Sequence, residues 1–436
     1  MTPGARIQAA VELLDRIEAP AAHEEALPAD AVLNSYFRAR RYVGAKDRRA
    51  IGDAVFQTLR QRGTIDWLLT AEAGLPATNR FRVLWTFAVH GGIGTGELVS
   101  ACDGGRHHPE PLGGDEARRV RLLDSIAEAP PALADQASFP AWLAPEIERQ
   151  FGDRRSGGAA WAEMLAFTQP APTDLRVNTL KATRDETAAA LAKSGVETAP
   201  ARHSPVGLRL AGRANVVGLD AYRQGWIEVQ DEASQLASLL VGAKPGMRVL
   251  DLCAGGGGKT LALAAAMGNR GSIVACDADA KRLARLPPRL ARSGARIIET
   301  RPLKPGADGG KFDRVLVDAP CSGSGTWRRH PDAKWRFTPA KLDEYRVAQA
   351  ALLRRAAQHV KPDGRLVYAV CSILPSEGAD QVEAFRAEYR DWRMVPADKA
   401  WREALGTEAP FVGPHMLLTP RRHGTDGFFA AILAPP

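Results

Sequence analysis

The chain has 436 residues, of which 45% are hydrophobic and 25% are charged, and its formal net charge is +8. This length predicts two or three domains, and the composition is that of an ordinary globular protein. No apolar run approaches the roughly 20 residues that cross a bilayer, and the N-terminus lacks the apolar core of a signal peptide. The mild positive charge suits a polyanionic partner but does not identify one.

The five cysteines are irregularly spaced, and no two of them are separated by only two residues. This pattern argues against a disulfide framework and against a zinc site, so we expect no bound metal. Reduced thiols are typical of the cytoplasm, where we expect the protein to be found. We also expect a monomer that does not associate with membranes.

Residues 1–155 are predicted to form a helical domain. Asp47 is expected to cap a helix that carries Ile51, Val55 and Leu59 on one face. A basic stretch, residues 38–49, contains Arg38, Arg40, Arg41, Lys46, Arg48 and Arg49. The stretch is interpreted either as a solvated face or as a contact with an RNA backbone.

Residues 160–240 are predicted to form a small α+β subdomain. Residues 173–178 and 225–229 have the pattern of strands, and residues 183–194 that of a helix that ends at Gly195. A domain boundary is predicted near residues 153–158, where arginine, glycine and serine cluster.

From residue 241 onward the pattern alternates between strands and helices. Strands are predicted around Val249, Ile273, Val315 and Leu366, with segments between them long enough for crossover helices. This alternation predicts a doubly wound, Rossmann-like α/β domain over residues 241–436. Ligands of such a domain lie at the carboxyl ends of the strands.

The first of these strands leads into a glycine-rich loop, residues 253–260. The loop is neither a dinucleotide fingerprint nor a P-loop, because Thr260 and Cys253 stand where those motifs need glycine. It is predicted to be a tight strand-to-helix turn whose amides suit the polar end of a nucleoside-like ligand. The next strand ends at Asp277, which is placed either to accept the hydroxyls of an adenosyl ribose or to cap a helix.

Two cysteines, Cys321 and Cys371, each follow a short apolar run that predicts a buried parallel strand. Both therefore lie at strand ends and could face one pocket. A thiolate that adds to C6 of cytosine makes C5 able to attack an activated methyl group, and a nearby lysine or helix N-terminus favours the thiolate. The alternative is a pair of inert buried thiols.

Together these motifs resemble the Nop/Sun family of RNA cytosine-5 methyltransferases. The resemblance rests on residues 253–260, 318–325, 328–335, 368–372 and 426–429, and on the upstream residues 175–178 and 230–234. The helical first third is similar to the NusB-like domain that some members carry. The resemblance therefore implies a class I S-adenosylmethionine-dependent methyltransferase core, an all-α NusB-like N-terminal domain and a small α+β middle subdomain.

The resemblance also implies a role for individual residues. Cys371 would be the nucleophile on C6, and Cys321 would assist release of the covalent adduct, whereas DNA cytosine-5 enzymes take their nucleophile from the Pro-Cys motif. Asp318 would bond the cytosine edge near the cofactor, and Lys259 would reach into the active site. The S-adenosylmethionine site would comprise Cys253, Ala254, Gly255, Gly256, Gly257, Gly258, Lys259, Asp277 and Asp318. Contacts with RNA are predicted for Arg176, Asn178, Arg328, Arg329, His330 and Lys334.

Several positions depart from the family pattern. The glycine loop lacks the usual proline, and Val370 replaces the threonine that precedes the nucleophile. Residues 297–303 lack the aspartate expected to hold adenine, with Glu299 the acid nearest to that role. Pro287 and Pro288 interrupt a predicted helix. These changes predict an altered recognition of adenine.

Three functions remain open at this point. The first is methylation of small-subunit (16S) ribosomal RNA, which the NusB-like domain favours. The second is methylation of tRNA or another RNA, and the third is an RNA-binding assembly factor with weak catalysis. In either methylation reaction the target cytosine must be unpaired or flipped out to reach a buried thiolate.

Overall fold

The computed structural model describes residues 1–19, 27–123, 125–126, 133–152, 158–303 and 309–436. The boundary predicted at residues 153–158 therefore lies, except for its last residue, outside the described residues. The chain divides into two compact units, one comprising Met1–Pro170 and Trp327–Phe337, the other Ala171–Thr326 and Thr338–Pro436. The predicted three-domain division, with limits near residues 155–160 and 240–241, stays a prediction.

The first unit is helical throughout its described part, as the sequence predicts. Its helices are α1 (Pro3–Glu18), α2 (Ala29–Ala39), α3 (Ala45–Trp67), α4 (Asn79–Val89), α5 (Thr95–Ala101), α6 (Gly114–Val120), α7 (Leu133–Gln136), α8 (Ala144–Phe151), α9 (Ala159–Leu165) and α16 (Pro331–Arg336). A π-helical turn, Leu68–Glu72, extends α3. Helices α1, α3 and α4 share a core that contains Ile7, Leu14, Val55 and Leu84. Likeness to NusB stays a prediction.

The prediction that Asp47 caps a helix is wrong. Helix α3 begins two residues earlier, and Gly44 occupies its N-cap position. Asp47 lies in the first turn and accepts hydrogen bonds from the Arg6 side chain (2.7 Å) and the Met1 amino group (3.0 Å). These two bonds hold the pKa of Asp47 below its usual value. The carboxylate thus ties the chain start to α3 and benefits from the positive end of that helix.

The segment Trp327–Phe337 returns from far along the sequence to complete the first unit. The Trp335 indole donates to the Leu59 carbonyl (2.7 Å), and Lys334 Nζ donates to the Arg60 carbonyl (2.8 Å). Asp332 accepts a bond from the first backbone amide of α2 (3.1 Å). Residues 1–170 therefore depend on this segment for part of their packing.

The second unit begins with a small antiparallel sheet. Its strands are β1 (Asp174–Val177), β2 (Thr198–Pro200), β3 (Gly207–Leu210) and β4 (Ile227–Val229), in the order β2-β3-β1-β4. The helices that accompany it are α10 (Arg184–Lys193), α11 (Asp220–Arg223) and α12 (Glu232–Leu240). A reciprocal capping box between Thr183 and Glu186 starts α10. The predicted strands and the predicted helix of this region are confirmed.

The large sheet of the second unit confirms the predicted Rossmann-like core. Its strands are β5 (Arg248–Asp251), β6 (Ser272–Asp277), β7 (Ile298–Pro302), β8 (Phe312–Asp318), β9 (Val360–Val370), β10 (Arg393–Val395), β11 (Met416–Leu418) and β12 (Phe428–Ala434). The order is β10-β12-β9-β8-β5-β6-β7, with β11 also paired to β12. Strands β5 to β9 are parallel, and the pairings of β12 are antiparallel.

Successive residues of the strands point to opposite faces of this sheet and belong to two different buried clusters, which helices cover. Val249 belongs to one buried cluster and the adjacent Leu250 to another. The helices are α13 (Gly258–Ala266), α14 (Ala280–Leu283), α15 (Leu286–Ser293), α17 (Pro339–Ala357), α18 (Ala379–Glu388), α19 (Ala397–Leu405) and α20 (Pro420–His423). The predicted interruption at Pro287 and Pro288 is confirmed, since both prolines lie in the first turn of a new helix, α15. No described helix is long and apolar enough to cross a membrane.

Candidate active site

Four neighbouring parallel strands deliver the predicted site residues to one edge of the sheet. In the order β9-β8-β5-β6, the strands end at Val370, Asp318, Asp251 and Asp277. Cys371 follows β9 directly, Cys321 follows β8 by three residues, and the glycine loop follows β5. Because the strands are parallel, these ends lie side by side, as the sequence predicts.

The glycine loop is a tight turn that glycine makes possible. Gly257 has φ of 80° and forms the N-cap of α13, and a Cβ there would lie 2.1 Å from the Leu286 side chain. Proline fixes φ near −65°, so a proline could not replace Gly257 without changing this turn. At Gly255 a Cβ would lie 2.8 Å from the Arg282 guanidinium. Glycine at both positions therefore lets the loop backbone pack closely against Leu286 and Arg282.

Asp277 holds the glycine loop from the neighbouring strand. One carboxylate oxygen accepts a bond from the Gly255 amide (2.7 Å), and the other accepts one from the Asp279 amide (2.8 Å). Asp279, not Asp277, is the N-cap of α14. The capping alternative for Asp277 is therefore excluded, and its carboxylate lies against the loop where a ribose is expected.

Arg176 reaches the same loop from the small sheet. Its side chain is buried and donates to the Gly258 carbonyl (2.5 Å) and to the Gln230 side chain. Burial lowers the pKa of Arg176 to about 10. Asn178 is also buried and donates to the carbonyls of Gly225 and Ser293. The predicted RNA contacts of Arg176 and Asn178 are therefore corrected, since both side chains bond the protein interior rather than facing a phosphate.

Of the RNA contacts predicted within residues 328–334, the structure contradicts two and leaves two as predictions. Lys334 is buried in the first unit, where burial holds its pKa well below the usual value, and Arg328 is also buried. Neither is available to a phosphate, so these two predictions are corrected as well. Arg329 is partly exposed and His330 is exposed, and their contact with RNA stays a prediction.

Lys259 and Asp318 form an ion pair beside the loop. Lys259 Nζ lies 2.7 Å from Asp318 Oδ2 and 5.0 Å from the centre of the Phe428 ring. Lys259 is nearly buried, whereas the Asp318 side chain is 29% exposed. The pair therefore places a fixed cation and an accessible carboxylate next to the strand end that carries Cys321.

Asp251 is a site residue that the sequence analysis missed. It is fully buried at the end of β5, where Oδ2 accepts a bond from Thr260 (2.7 Å) and Oδ1 has no partner among the described residues. Burial raises the pKa of Asp251 to about 7. Its place at the strand end, directly before the loop, was the available signal.

The two predicted catalytic cysteines meet. Cys321 Sγ and Cys371 Sγ are 3.5 Å apart, and both residues are partly exposed. The hydrogen bond to Cys371 and burial raise the pKa of the Cys321 thiol well above its ordinary value. The two sulfurs are therefore close enough to act on the same bound base.

A close backbone contact fixes the loop that follows Cys321. The Gly325 amide donates to the Cys371 carbonyl (3.0 Å), and the Gly427 amide donates to the Gly325 carbonyl (2.8 Å). A Cβ on Gly325 would lie 1.9 Å from the Gly427 carbonyl oxygen. Glycine at position 325 therefore lets the β8, β9 and β12 ends approach one another.

The remaining departures from the family pattern have structural counterparts. Val370 is buried in the sheet core, so an apolar contact stands where the family carries a hydroxyl. Glu299 is exposed on β7 and pairs with Arg301 (2.7 Å). Burial and the carboxylates of Asp251 and Asp318 raise the pKa of Cys253 well above its usual value, so this thiol stays neutral.

The loop and its surroundings fit S-adenosylmethionine. Asp251 directly precedes the loop, Asp277 accepts a bond from the Gly255 amide, and Asp318 pairs with Lys259, so three acids lie at the loop; Oδ1 of Asp251 has no partner within the described part of the chain. This arrangement suits a ligand that carries a cationic sulfonium and an ammonium group. The described residues contain no group of three or more His, Cys, Asp or Glu side chains that could hold a metal ion.

Comparisons with known proteins identify the family of this chain. The model of the 16S rRNA methyltransferase RsmB/F family matches residues 238–434, and that of the RsmF/B-like ferredoxin-like domain matches residues 139–217. The chain is 31% identical over 415 residues to the probable ribosomal RNA small subunit methyltransferase B of Synechocystis sp. (strain ATCC 27184 / PCC 6803 / Kazusa), covering 89% of this chain and 91% of that protein. It is 30% identical over 414 residues to ribosomal RNA small subunit methyltransferase B of Klebsiella pneumoniae (strain 342), covering 90% and 91%.

Among solved structures, that of PH0851 matches with a TM-score of 0.75 at 29% identity and covers 100% of this chain and 99% of that one. The parallel sheet and its strand-end loop thus define a methyltransferase with a Rossmann-like class I fold. The chain belongs to the RsmB/F family of 16S rRNA methyltransferases. The predicted resemblance to the Nop/Sun family is confirmed, and the two relatives named above are both methyltransferases B, that is, RsmB.

Proposed function

We propose that this protein transfers a methyl group to C5 of a cytosine in 16S ribosomal RNA through a covalent bond between Cys371 and C6. The observation that carries the proposal is the pair of sulfurs 3.5 Å apart at adjacent strand ends. One sulfur can bond the base while the second lies within reach of the bond that must later break. The relatives named as small-subunit methyltransferases support 16S rRNA over the tRNA alternative.

The chain's own residues account for the remaining steps. Cys371 adds to C6 as a thiolate, which leaves C5 electron-rich. S-adenosylmethionine supplies the methyl group when it is bound at the glycine loop. Asp318 has an accessible carboxylate that can accept a hydrogen bond from the cytosine amino group, and Lys259 fixes its orientation. The Cys321 sulfur, as a thiolate, then takes the C5 proton, and the electrons of the broken C5–H bond expel the Cys371 thiolate.

A tritiated-methyl assay tests this function directly. The protein is incubated with labelled S-adenosylmethionine and 16S rRNA, small ribosomal subunits or tRNA, and the RNA is digested to nucleosides. We expect label in 5-methylcytidine from 16S rRNA or its subunit. Label at another base would overturn the chemistry, and label only in tRNA would overturn the substrate. Cofactor binding without any transfer would favour the assembly-factor alternative.

Replacing Asp277 by alanine should weaken cofactor binding at least tenfold. The carboxylate is expected to bond the ribose, and charge-assisted hydrogen bonds contribute roughly 1.5–3 kcal/mol each, where about 1.4 kcal/mol is a tenfold change in Kd. Calorimetry with S-adenosylmethionine measures the effect. Asp279→Ala is the matched control, because it removes the cap of α14 and leaves the loop bond of Asp277 in place. Equal affinity of the Asp277→Ala variant and the wild type would refute a ribose contact.

The basic stretch is the surface that we expect to bind the RNA backbone. Its cations Arg38, Arg41, Lys46 and Arg49 are exposed, and Tyr42 between them is 76% exposed, so its ring is open to an unpaired base. Trp327–Phe337 packs with the helices of the first unit, so removal of the first 150 residues would also take away the packing partners of this segment. Substitution of surface residues therefore tests the surface more cleanly than that removal.

Changing those four cations to serine should weaken RNA binding and reduce its salt dependence. Each lost phosphate contact lowers the slope of log affinity against log salt by about 0.7–0.9, so a reduction of up to roughly 3 is expected. Filter binding across a salt series measures it. A control variant loses four exposed cations that are paired with carboxylates, Lys341, Arg346, Arg354 and Arg402. Identical slopes for the two variants would show that net charge, not this surface, governs binding.

A further inference from the structure

A buried carboxylate lies behind the two catalytic cysteines. Glu377 ends the short 3-10 helix Pro375–Glu377 and is fully buried. Its Oε1 accepts the Ser322 amide (2.8 Å), and its Oε2 accepts the hydroxyls of Ser322 and Ser372 (2.6 Å for Ser372). The carboxylate therefore bonds two loops that leave the sheet from different strands.

Each of these serines directly follows one of the cysteines in the chain. Ser322 comes after Cys321, and Ser372 comes after Cys371. Moving either serine by a fraction of an ångström would therefore move the adjacent sulfur. A single carboxylate thus holds both ends of the 3.5 Å gap between the sulfurs.

Further bonds make this arrangement rigid. Gln349 donates to Glu377 (3.2 Å) and also to the Pro320 carbonyl, on the other side of Cys321 (2.9 Å). The Ser324 and Ser372 hydroxyls bond each other (2.9 Å), and the Tyr368 hydroxyl donates to the Glu377 carbonyl (2.6 Å). Burial raises the pKa of Glu377, and the Ser322 and Ser372 bonds oppose that rise. These hydrogen-bond donors offset the free-energy cost of burying the carboxylate.

We propose that Glu377 is a positioning residue that sets the separation of the Cys321 and Cys371 sulfurs and thereby couples nucleophilic attack to release of the product. The coupling rests on the proposed function, whereas the separation of the sulfurs is a property of the protein alone. The two parts can therefore be tested independently.

Two variants separate the length of the side chain from its charge. Glu377→Asp keeps the charge but shortens the reach by one carbon–carbon bond, about 1.5 Å, so the carboxylate cannot bond both loops at once. Glu377→Gln keeps the reach, because its oxygen can accept the Ser322 amide and its amino group can donate to the serine hydroxyls. If Glu377 acts by positioning, Glu377→Asp should lose the alignment of the two sulfurs, and Glu377→Gln should keep it.

The rate of disulfide formation between Cys321 and Cys371 reports their alignment without RNA. Diamide oxidises the two thiols to one disulfide and takes up their two electrons and two protons, and peptide mass spectrometry counts the linked pair. We expect Glu377→Asp to slow this reaction about tenfold or more, because a displacement of about 1 Å can cost a reaction about 100-fold. Glu377→Gln should stay close to wild type. Glu232→Asp, a change at another fully buried carboxylate, is the control and should have no effect.

The second readout is the ratio of adduct formation to turnover on RNA. Glu377→Asp should accumulate the covalent RNA adduct relative to released product, and Glu377→Gln should not. If the aspartate variant does not fold, the double variant Ser322→Ala and Ser372→Ala removes the hydroxyl bonds and should give the same slow oxidation. Wild-type oxidation rates in both would overturn the positioning role. Slow disulfide formation in the variants, together with no methyl transfer by the wild-type protein, would instead overturn the proposed function alone.

Discussion

Replacing Cys371 by alanine should abolish methyl transfer while leaving cofactor binding intact. Cys371 directly follows β9, and its sulfur lies 3.5 Å from that of Cys321. The hydrogen bond to Cys371 and burial raise the pKa of the Cys321 thiol, which disfavours Cys321 as the attacking thiolate. Without the covalent step, C5 stays a poor nucleophile, and turnover should fall below about one thousandth of the wild-type rate.

The test combines a methyl-transfer assay with calorimetry. The loop residues and Asp277 are untouched, so affinity for S-adenosylmethionine should stay at the wild-type value. Cys102→Ala is the matched control, since Cys102 is buried in the helical unit and belongs to no part of the site. Substantial residual turnover by Cys371→Ala, at wild-type cofactor affinity, would remove Cys371 from the role of nucleophile.

Replacing Cys321 by alanine should trap RNA on the protein. Adduct formation needs Cys371 and the cofactor, both of which remain, whereas expulsion of the Cys371 thiolate depends on the second sulfur 3.5 Å away. The expected result is a slower-migrating protein–RNA band on a denaturing gel, with multiple turnover reduced to near a single event per protein. Cofactor should be required for the band.

The double variant Cys321→Ala and Cys371→Ala is the control for this adduct. It should give no band, because the bond to C6 comes from Cys371. A Cys321→Ala protein that turns over normally and forms no band would make Cys321 a structural thiol. A band that persists in the double variant would place the bond to RNA on another residue.

Several features of this protein were predicted correctly because they depend on short stretches of chain. The apolar runs around Val249, Ile273, Val315 and Leu366 identify the parallel strands, since a strand buried on both faces is apolar at every position. The glycine loop and the two cysteine motifs each lie within eight residues of a strand end. Once parallel strands are assigned, their carboxyl ends must share one edge, which brings distant motifs together.

The sequence could not reveal which of the basic side chains are exposed to solvent. Arg176, Asn178, Arg328 and Lys334 have the residue types of an RNA surface, yet all four are buried, because segments far apart in sequence pack over them. A basic side chain with backbone carbonyls as partners is indistinguishable by sequence from one that faces a phosphate. The N-cap of α3 was wrongly assigned to Asp47 because the residue at that position, Gly44, has no side chain that would mark it as a cap in the sequence.

The sequence by itself determined the fold class, the strand ends and the family, because these follow from periodicity and contiguous motifs. Only the tertiary structure decided the 3.5 Å separation of the sulfurs, the Asp251 oxygen that finds no partner among the residues described, and the reach of Glu377 to both cysteine loops. Each of these joins residues from different strands. Their distances are set by the packing of the whole sheet and its helices, which no single segment of the sequence encodes.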